Sequence, residues 1–155
     1  MNDKNIKTQF KTVPFKATSP NGMTKYDGIA KFSSAGIVIE FDSKLFGLIS
    51  GEVKEVQIAL EEILDIKFRK GIYKFFAQIQ IRLKNFTKIS ALPNHSGKVK
   101  LKIKREDFEL AQNAIRKLQN DLSELQENVL PPIAPYIGLF DESENETKKL
   151  DDLPQ

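Results

Sequence analysis

Alternating apolar and polar residues run along most of the chain, and a helical spacing replaces this alternation near residue 105. Residues 98–104 alternate lysine with an apolar residue, which is the two-residue period of a strand. Apolar residues then recur at steps of three and four: Phe108, Ala111, Ile115, Leu118, Leu122 and Leu125. This change of period predicts a β-domain that ends in one long amphipathic helix.

Shorter runs of the same alternation predict seven strands, at about residues 9–17, 28–32, 37–42, 53–58, 64–69, 75–84 and 98–104. In the fifth strand Leu64, Ile66 and Phe68 are expected to face inward. Turn-forming residues separate the first two strands at 19–22, and the second and third strands are typical of a hairpin. Residues 60–62 favour one helical turn, and residues 85–97 are expected to form a long loop. Residues 43–52 are apolar but interrupted by two glycines, so they predict a connection between strands.

The chain of 155 residues is long enough for one domain with a substantial core. We expect a polar arm at residues 1–8, a folded domain at 9–128, an apolar proline-rich extension at 129–140 and an acidic disordered tail at 141–155. Prolines prevent the extension from forming a regular helix. It is expected either to pack back on the domain or to dock on a partner.

Three features of the sequence bear on the cellular location of the protein. No apolar run is long enough to span a membrane, and the first residues lack the apolar segment of a secretory signal. The chain has no cysteine, which excludes disulfides, thiolate nucleophiles and thiolate metal sites. These features predict a cytoplasmic protein, with peripheral contact to a membrane left open.

Charge is strongly segregated along the chain, although the net formal charge is only +3. Residues 1–64 are neutral overall, residues 65–105 carry a net charge of +11, and residues 106–155 carry −8. A block this basic attracts phosphate or anionic lipid. Alternatively, the acidic C-terminal third of the chain neutralises it.

Three stretches resemble a known superfold: the hairpin at residues 28–42, the segment 56–68 and the strand-to-helix stretch 98–118. Together they resemble the pleckstrin-homology-like (PH-like) superfold in its bacterial or GRAM-like form, over about residues 9–127. The resemblance implies a mainly β fold with one long C-terminal α-helix. It further implies a seven-stranded, partly open barrel of two near-orthogonal antiparallel sheets, capped by the helix.

The resemblance also implies where ligands would bind, at loops mapped to about residues 19–25, 43–52 and 85–97. Phosphoinositide-binding members use a lysine late in strand one, which Lys16 matches. They also use a basic residue in strand two with an arginine two positions later. Lys31 is present there, but Ser33 stands where the arginine would be, so specific inositol-phosphate recognition is not implied. The superfold hosts lipid binders, peptide binders and oligomerisation modules alike.

Seven basic residues are the candidates for contact with an anionic surface: Lys67, Arg69, Lys70, Lys74, Lys98, Lys100 and Lys102. Lysines at alternate positions of the last strand would form a basic stripe about 20 Å long. The affinity of such a stripe for phosphates would depend on salt. The same lysines have a purely structural explanation, since lysine on an exposed strand prevents edge pairing and keeps the face soluble.

Six apolar residues in two segments are candidates for insertion into a membrane or for a protein interface: Leu45, Phe46, Leu48, Ile49, Tyr73 and Phe76. The loop around Phe46 could instead fold over the end of the domain. Tyr73 and Phe76 could likewise cover its outer wall or the segment 129–140.

Catalytic and metal chemistry is not indicated. His95 is the only histidine and lies in a turn, the carboxylates at 61–65 are typical of surface positions, and no glycine-rich phosphate loop is present. We therefore predict a non-enzymatic binding or scaffolding module, without cofactor, metal or small-molecule substrate. It would contact an anionic membrane surface or a protein partner through its basic face. The alternatives are a homo-oligomerisation module using residues 43–52 and 122–140, and nucleic-acid binding through the basic face.

Overall fold

Nine antiparallel strands and two α-helices make up the part of the chain that the computed structural model describes, residues 9–49 and 51–129. The strands are β1 (Lys11–Thr18), β2 (Thr24–Ser33), β3 (Gly36–Leu45), β4 (Leu48–Ile49), β5 (Lys54–Ala59), β6 (Ile63–Arg69), β7 (Gln78–Leu83), β8 (Asn94–His95) and β9 (Lys98–Lys102). The helices are α1 (Phe86–Ala91) and α2 (Phe108–Val129), with 3-10 turns at Leu60–Glu62 and Arg105–Asp107. The predicted mainly β class with one long C-terminal helix is confirmed.

The strands form one continuous sheet in the order β4-β3-β2-β1-β9-β7-β6, with β5 also paired to β3 and β8 to β9. β1 and β9 are joined by a single residue pair, Lys16 with Lys102. The sheet is not closed into a barrel, because neither β4 nor β5, which both pair with β3 at one end, pairs with β6 at the other end. Two near-orthogonal sheets were expected, whereas the pairing gives one open sheet. The two-residue strands β4 and β8 raise the number of strands from the predicted seven to nine.

Helix α2 packs on the sheet through most of the apolar seam that its sequence predicts: five of the six predicted residues are buried, Ala114 is buried in addition, and Leu125 is only partly buried. Six of its residues are buried: Phe108, Ala111, Ala114, Ile115, Leu118 and Leu122. The Phe108 ring meets the Phe68 ring edge to face, with centroids 5.1 Å apart. Gln119 donates through Nε2 to the carbonyl of Ile66, 2.8 Å away, and so satisfies a backbone acceptor of edge strand β6.

Two local predictions were wrong for identifiable reasons. The predicted loop 85–97 contains helix α1, whose first turn is capped by the Asn85 side chain accepting from the Thr87 amide at 2.9 Å. Six residues are too few for a helical period to be measured in the sequence. Leu64 is 48% exposed although an inward position was expected, because the pairing of β6 with β7 shifts register between Ile63 and Asp65.

The chain divides into two compact units, residues 1–123 and 124–155. Of the second unit, the structure describes the end of α2 up to Val129. The predictions of a polar arm at 1–8, of the proline-rich extension beyond Val129 and of the acidic tail at 141–155 lie outside the described residues.

Candidate anion-binding surface

Strands β6, β7 and β9 lie side by side, and their outward side chains are mostly basic. The inward residues Ile66, Ile79 and Leu101 are buried, so the alternate positions face outward. Pairing places Lys67 opposite Gln80, Gln80 opposite Lys100, Arg69 opposite Gln78, and Gln78 opposite Lys102. We call six residues the basic face: Lys67, Arg69, Arg82, Lys98, Lys100 and Lys102.

One carboxylate, Asp65, is present on this face to balance its six cations. It accepts from Nε of Arg82 at 2.9 Å, and its Oδ2 lies 3.7 Å from Nζ of Lys67. Arg69, Lys98 and Lys100 form no ion pair with any residue that the structure describes. A shallow depression of about 110 Å³ opens on the face. These cations of β6 and β9 are separated by a glutamine of β7, and their largely unbalanced positive charge attracts an external anion.

Edge protection, one part of the structural explanation for the lysines of β9, does not hold, whereas their role in keeping the face soluble stays a prediction. β9 lies between β1 and β7, so it is an interior strand and its lysines do not protect an edge. Lys104 lies beyond the end of β9, and its Nζ is 3.9 Å from a carboxylate oxygen of Glu106.

The structure brings five of the seven predicted basic residues together and separates the other two. Lys70 and Lys74 belong to the connection after β6, residues 70–77. Nζ of Lys74 lies 3.2 Å from Oε1 of Glu109 and 5.3 Å from the centroid of the Phe108 ring, so this lysine is directed at the start of α2. Arg82, which was not among the predicted residues, joins the face through its position on β7.

A second basic feature, which we call the lysine groove, adjoins the face at Lys102. It has a volume of about 810 Å³ and is lined by four lysines, one carboxylate and an apolar rim. The lysines are Lys16, Lys25, Lys44 and Lys102, the carboxylate is Asp27, and the rim includes Met23 and Phe46. Each lysine comes from a different strand, so no local run in the sequence indicates the groove. The signal that was available is Lys16, which the family resemblance singled out.

Asp27 holds two of the groove's lysines. Its Oδ2 accepts from Nζ of Lys44 at 2.8 Å, and its Oδ1 lies 3.8 Å from Nζ of Lys16. The hydrogen bond from Lys44 holds the pKa of the Asp27 carboxyl below its usual value, and Lys16 lowers it further. The same bond raises the pKa of Lys44. The groove therefore contains a permanently ionised internal anion at neutral pH.

The turn that joins β3 to β4 exposes apolar side chains at the rim of the groove. Leu45, Phe46 and Leu48 are 49, 73 and 76% exposed, and Met23 beside them is 50% exposed. The Phe46 amide donates to the carbonyl of Met23 at 3.4 Å, which ties this turn to the turn between β1 and β2. The alternative that this loop folds over the end of the domain is wrong for these residues; the side chain of Ile49 is not described.

The remaining predicted apolar residues are also exposed, Tyr73 by 87% and Phe76 by 86%. They do not cover the outer wall of the domain. Of the predicted contacts at the helix end, Leu122 is buried within the first unit and is thus not free for a partner, whereas Val129 is 72% exposed.

Metal sites and membrane-spanning helices are not found within residues 9–49 and 51–129. His95 is exposed in β8, and no group of three or more His, Cys, Asp or Glu side chains there could hold a metal ion. None of the helices described is both long enough and apolar enough to cross a membrane.

Comparison with known proteins adds no further assignment. No protein-family model matches the chain, and neither the curated proteins nor the solved structures contain a match to it.

Proposed function

We propose that this chain is a non-catalytic binding module of PH-like type that docks on an anionic membrane surface. One observation carries the proposal: the lysine groove has exposed apolar side chains on its rim and is continuous with the basic face through Lys102. Positive charge beside exposed apolar groups suits a surface that is anionic outside and apolar beneath.

The PH-like part of the proposal is supported by the antiparallel sheet followed by one long C-terminal helix. It is also supported by the position of the groove. Two of the three ligand-binding loops that the resemblance implies, 19–25 and 43–52, contribute residues to its lining, among them Met23 and Phe46.

The charge is sufficient for reversible binding. The basic face and the groove together present nine cations, and two carboxylates, Asp65 and Asp27, oppose them. Each basic residue near an anionic surface contributes about 1 kcal/mol, and salt weakens the attraction. Binding should therefore be strong at low ionic strength and reduced, but measurable, at physiological ionic strength.

The test is co-sedimentation of the full chain with neutral and anionic vesicles at low and physiological salt. The groove variant Lys16→Glu/Lys25→Glu/Lys102→Glu should lose binding to anionic vesicles. The matched control Lys54→Glu/Arg116→Glu/Lys117→Glu changes the same charge at exposed positions outside the face and groove, and should keep more of the binding. Absence of wild-type binding to anionic vesicles at low salt, or equal loss in both variants, would refute the proposal.

Self-association is the second candidate, favoured by the exposure of Leu45, Phe46 and Leu48 on one turn. The variant Phe46→Ser should then lower the mass measured by light scattering, without changing the thermal midpoint. A wild-type chain that stays monomeric at high concentration would exclude this candidate. Nucleic-acid binding has less support, because the aromatic residue of β6, β7 and β9 is Phe68, which packs on Phe108 and is not free to stack on a base.

A further inference from the structure

The connection between β6 and β7, which we call the aromatic hairpin (residues 70–77), exposes four large apolar side chains. Ile72, Tyr73 and Phe76 are 69, 87 and 86% exposed, and Phe75 is 51% exposed. Exposing so much apolar surface at one short turn is unfavourable in water. Contiguous exposed apolar groups mark interaction sites.

Three residues of the hairpin have a left-handed backbone conformation, which residues other than glycine rarely adopt. Ile72 and Phe75 pair through two backbone hydrogen bonds of 3.0 and 2.9 Å, around a two-residue turn. In that turn Tyr73 and Lys74 have φ of +50° and +65°, and Phe76 follows at +61°. Left-handed conformations at residues other than glycine are uncommon and concentrate at functional sites.

Contacts with the start of α2 hold this conformation. Lys74 pairs with Glu109 and lies over the ring of Phe108. The Arg105 guanidinium lies 5.1 Å from the centroid of the Phe75 ring. Lys74 and half-exposed Phe75 thus tie the hairpin to the start of α2, whereas Ile72, Tyr73 and Phe76 remain at least 69% exposed.

The surroundings of the hairpin indicate what it contacts. It follows Arg69 directly, and Arg69 lies two strands from Lys102 in one row across the sheet, about 10 Å away at the usual strand spacing. Lys70 lies at the base of the hairpin and is exposed. The hairpin therefore begins at the end of a row of the basic face that leads through Lys102 to the lysine groove.

From this continuity we infer that the aromatic hairpin is a preformed wedge that inserts Ile72, Tyr73 and Phe76 into the interfacial region of an anionic bilayer. Tyrosine suits this region because its ring is apolar and its hydroxyl reaches water. A preformed turn loses little conformational freedom when it inserts. The inference rests on the proposed function: the bilayer that the basic face attracts is the one the wedge enters, at a point separate from the turn around Phe46.

The chain contains no tryptophan, so a single introduced tryptophan reports on its own surroundings. We would place one at the wedge (Phe76→Trp), one at the groove rim (Phe46→Trp), and one at an exposed control position on α1 (Phe86→Trp), where Phe86 is 78% exposed. With anionic vesicles, emission from position 76 should shift to shorter wavelength and be quenched by brominated lipid. Emission from position 86 should do neither.

A second variant measures the contribution of the wedge to binding. Asparagine tolerates left-handed φ, so Tyr73→Asn/Phe76→Asn removes the apolar groups while keeping the turn. We expect an unchanged thermal midpoint and at least about tenfold weaker partition into anionic vesicles, the loss expected when two aromatic side chains no longer insert.

The outcomes separate the two proposals. Vesicle binding without a spectral shift at position 76, and with full partition of the double variant, would overturn the wedge and leave the basic surface standing. A hairpin that served a protein partner would give that result. No binding of the wild-type chain to any vesicle would overturn both.

Discussion

Replacing Asp27 by asparagine tests whether the lysine groove is an anion site that carries its own counter-ion. Asp27 engages Lys44 at 2.8 Å and Lys16 at 3.8 Å, at the position that an external anion would occupy between them. An incoming phosphate must compete with this carboxylate. Asp27→Asn removes the competitor, frees both lysines and leaves the shape of the side chain almost unchanged.

The size of the effect follows from the charges. Removing one negative charge near an anionic surface has the effect of adding one basic residue, about 1 kcal/mol, which corresponds to roughly fivefold tighter binding. The cost in stability is small, because Asp27 and its partners are each about a third exposed or more, and exposed ion pairs contribute about 0.2–1 kcal/mol each. The variant should therefore remain folded at ordinary temperatures and bind anionic vesicles more tightly than the wild type.

The assay is vesicle co-sedimentation at several salt concentrations, with the thermal midpoint measured beside it. Glu61→Gln is the matched control, since Glu61 is exposed and does not line the groove, so it changes the total charge equally. Equal tightening in both variants would mean that only net charge matters and would refute the groove as a site. Weaker binding of Asp27→Asn, with its fold intact, would mean that Asp27 orients the lysines and does not compete for them.

Two further predictions concern the stability of the domain. Leu118→Asp should unfold the chain, because Leu118 is 1% exposed and the change leaves a cavity and a buried charge, which together cost about 5 kcal/mol or more. Asn120→Asp, on the exposed side of α2, should leave the thermal midpoint nearly unchanged. Equal midpoints would contradict the packing of α2. The pKa of Glu62 is lowered by hydrogen bonds from Lys88 and from the Ala59 amide, so its contribution to stability is present above the unfolded-state pKa and is lost as pH falls through the lower folded-state value. Glu62→Gln should flatten the acid limb of stability measured by urea unfolding below about pH 4.5; an unchanged slope would show that Glu62 is not responsible.

Much of the fold follows from periodicity, and the errors occur where periodicity cannot be read. The seam of α2 spans several turns, so most of its buried face could be predicted from spacing, although Ala114 was missed and Leu125 is only partly buried. β4 and β8 have two residues each and α1 has six, which is too short for either period to appear. Leu64 was placed inward because strict alternation was assumed, and the register shift in β6 breaks that alternation.

The basic surface was partly predictable for a related reason. Lys98, Lys100 and Lys102 share a strand, so their common face follows from spacing alone. The groove depends on strand order, which the sequence pattern does not contain: Lys16 meets Lys102 only because β1 and β9 are neighbours. Lys74 shows the opposite error, because it is close to the basic strands in sequence but turns toward Glu109.

The case for a membrane-facing surface depends on coincidence of features that are ordinary when taken singly. Lysines on a sheet face are common, and so is an exposed phenylalanine. Here a row of paired positions runs from Arg69 through Lys102 to Lys16, with the aromatic hairpin directly after Arg69 and the exposed rim at Phe46 bordering the groove that contains Lys16. Solubility alone explains the charges but not the exposed aromatic groups, and a protein interface explains the aromatic groups but does not require so many unpaired cations. A surface that is anionic above and apolar below accounts for both, which is why vesicles are the first ligand to test.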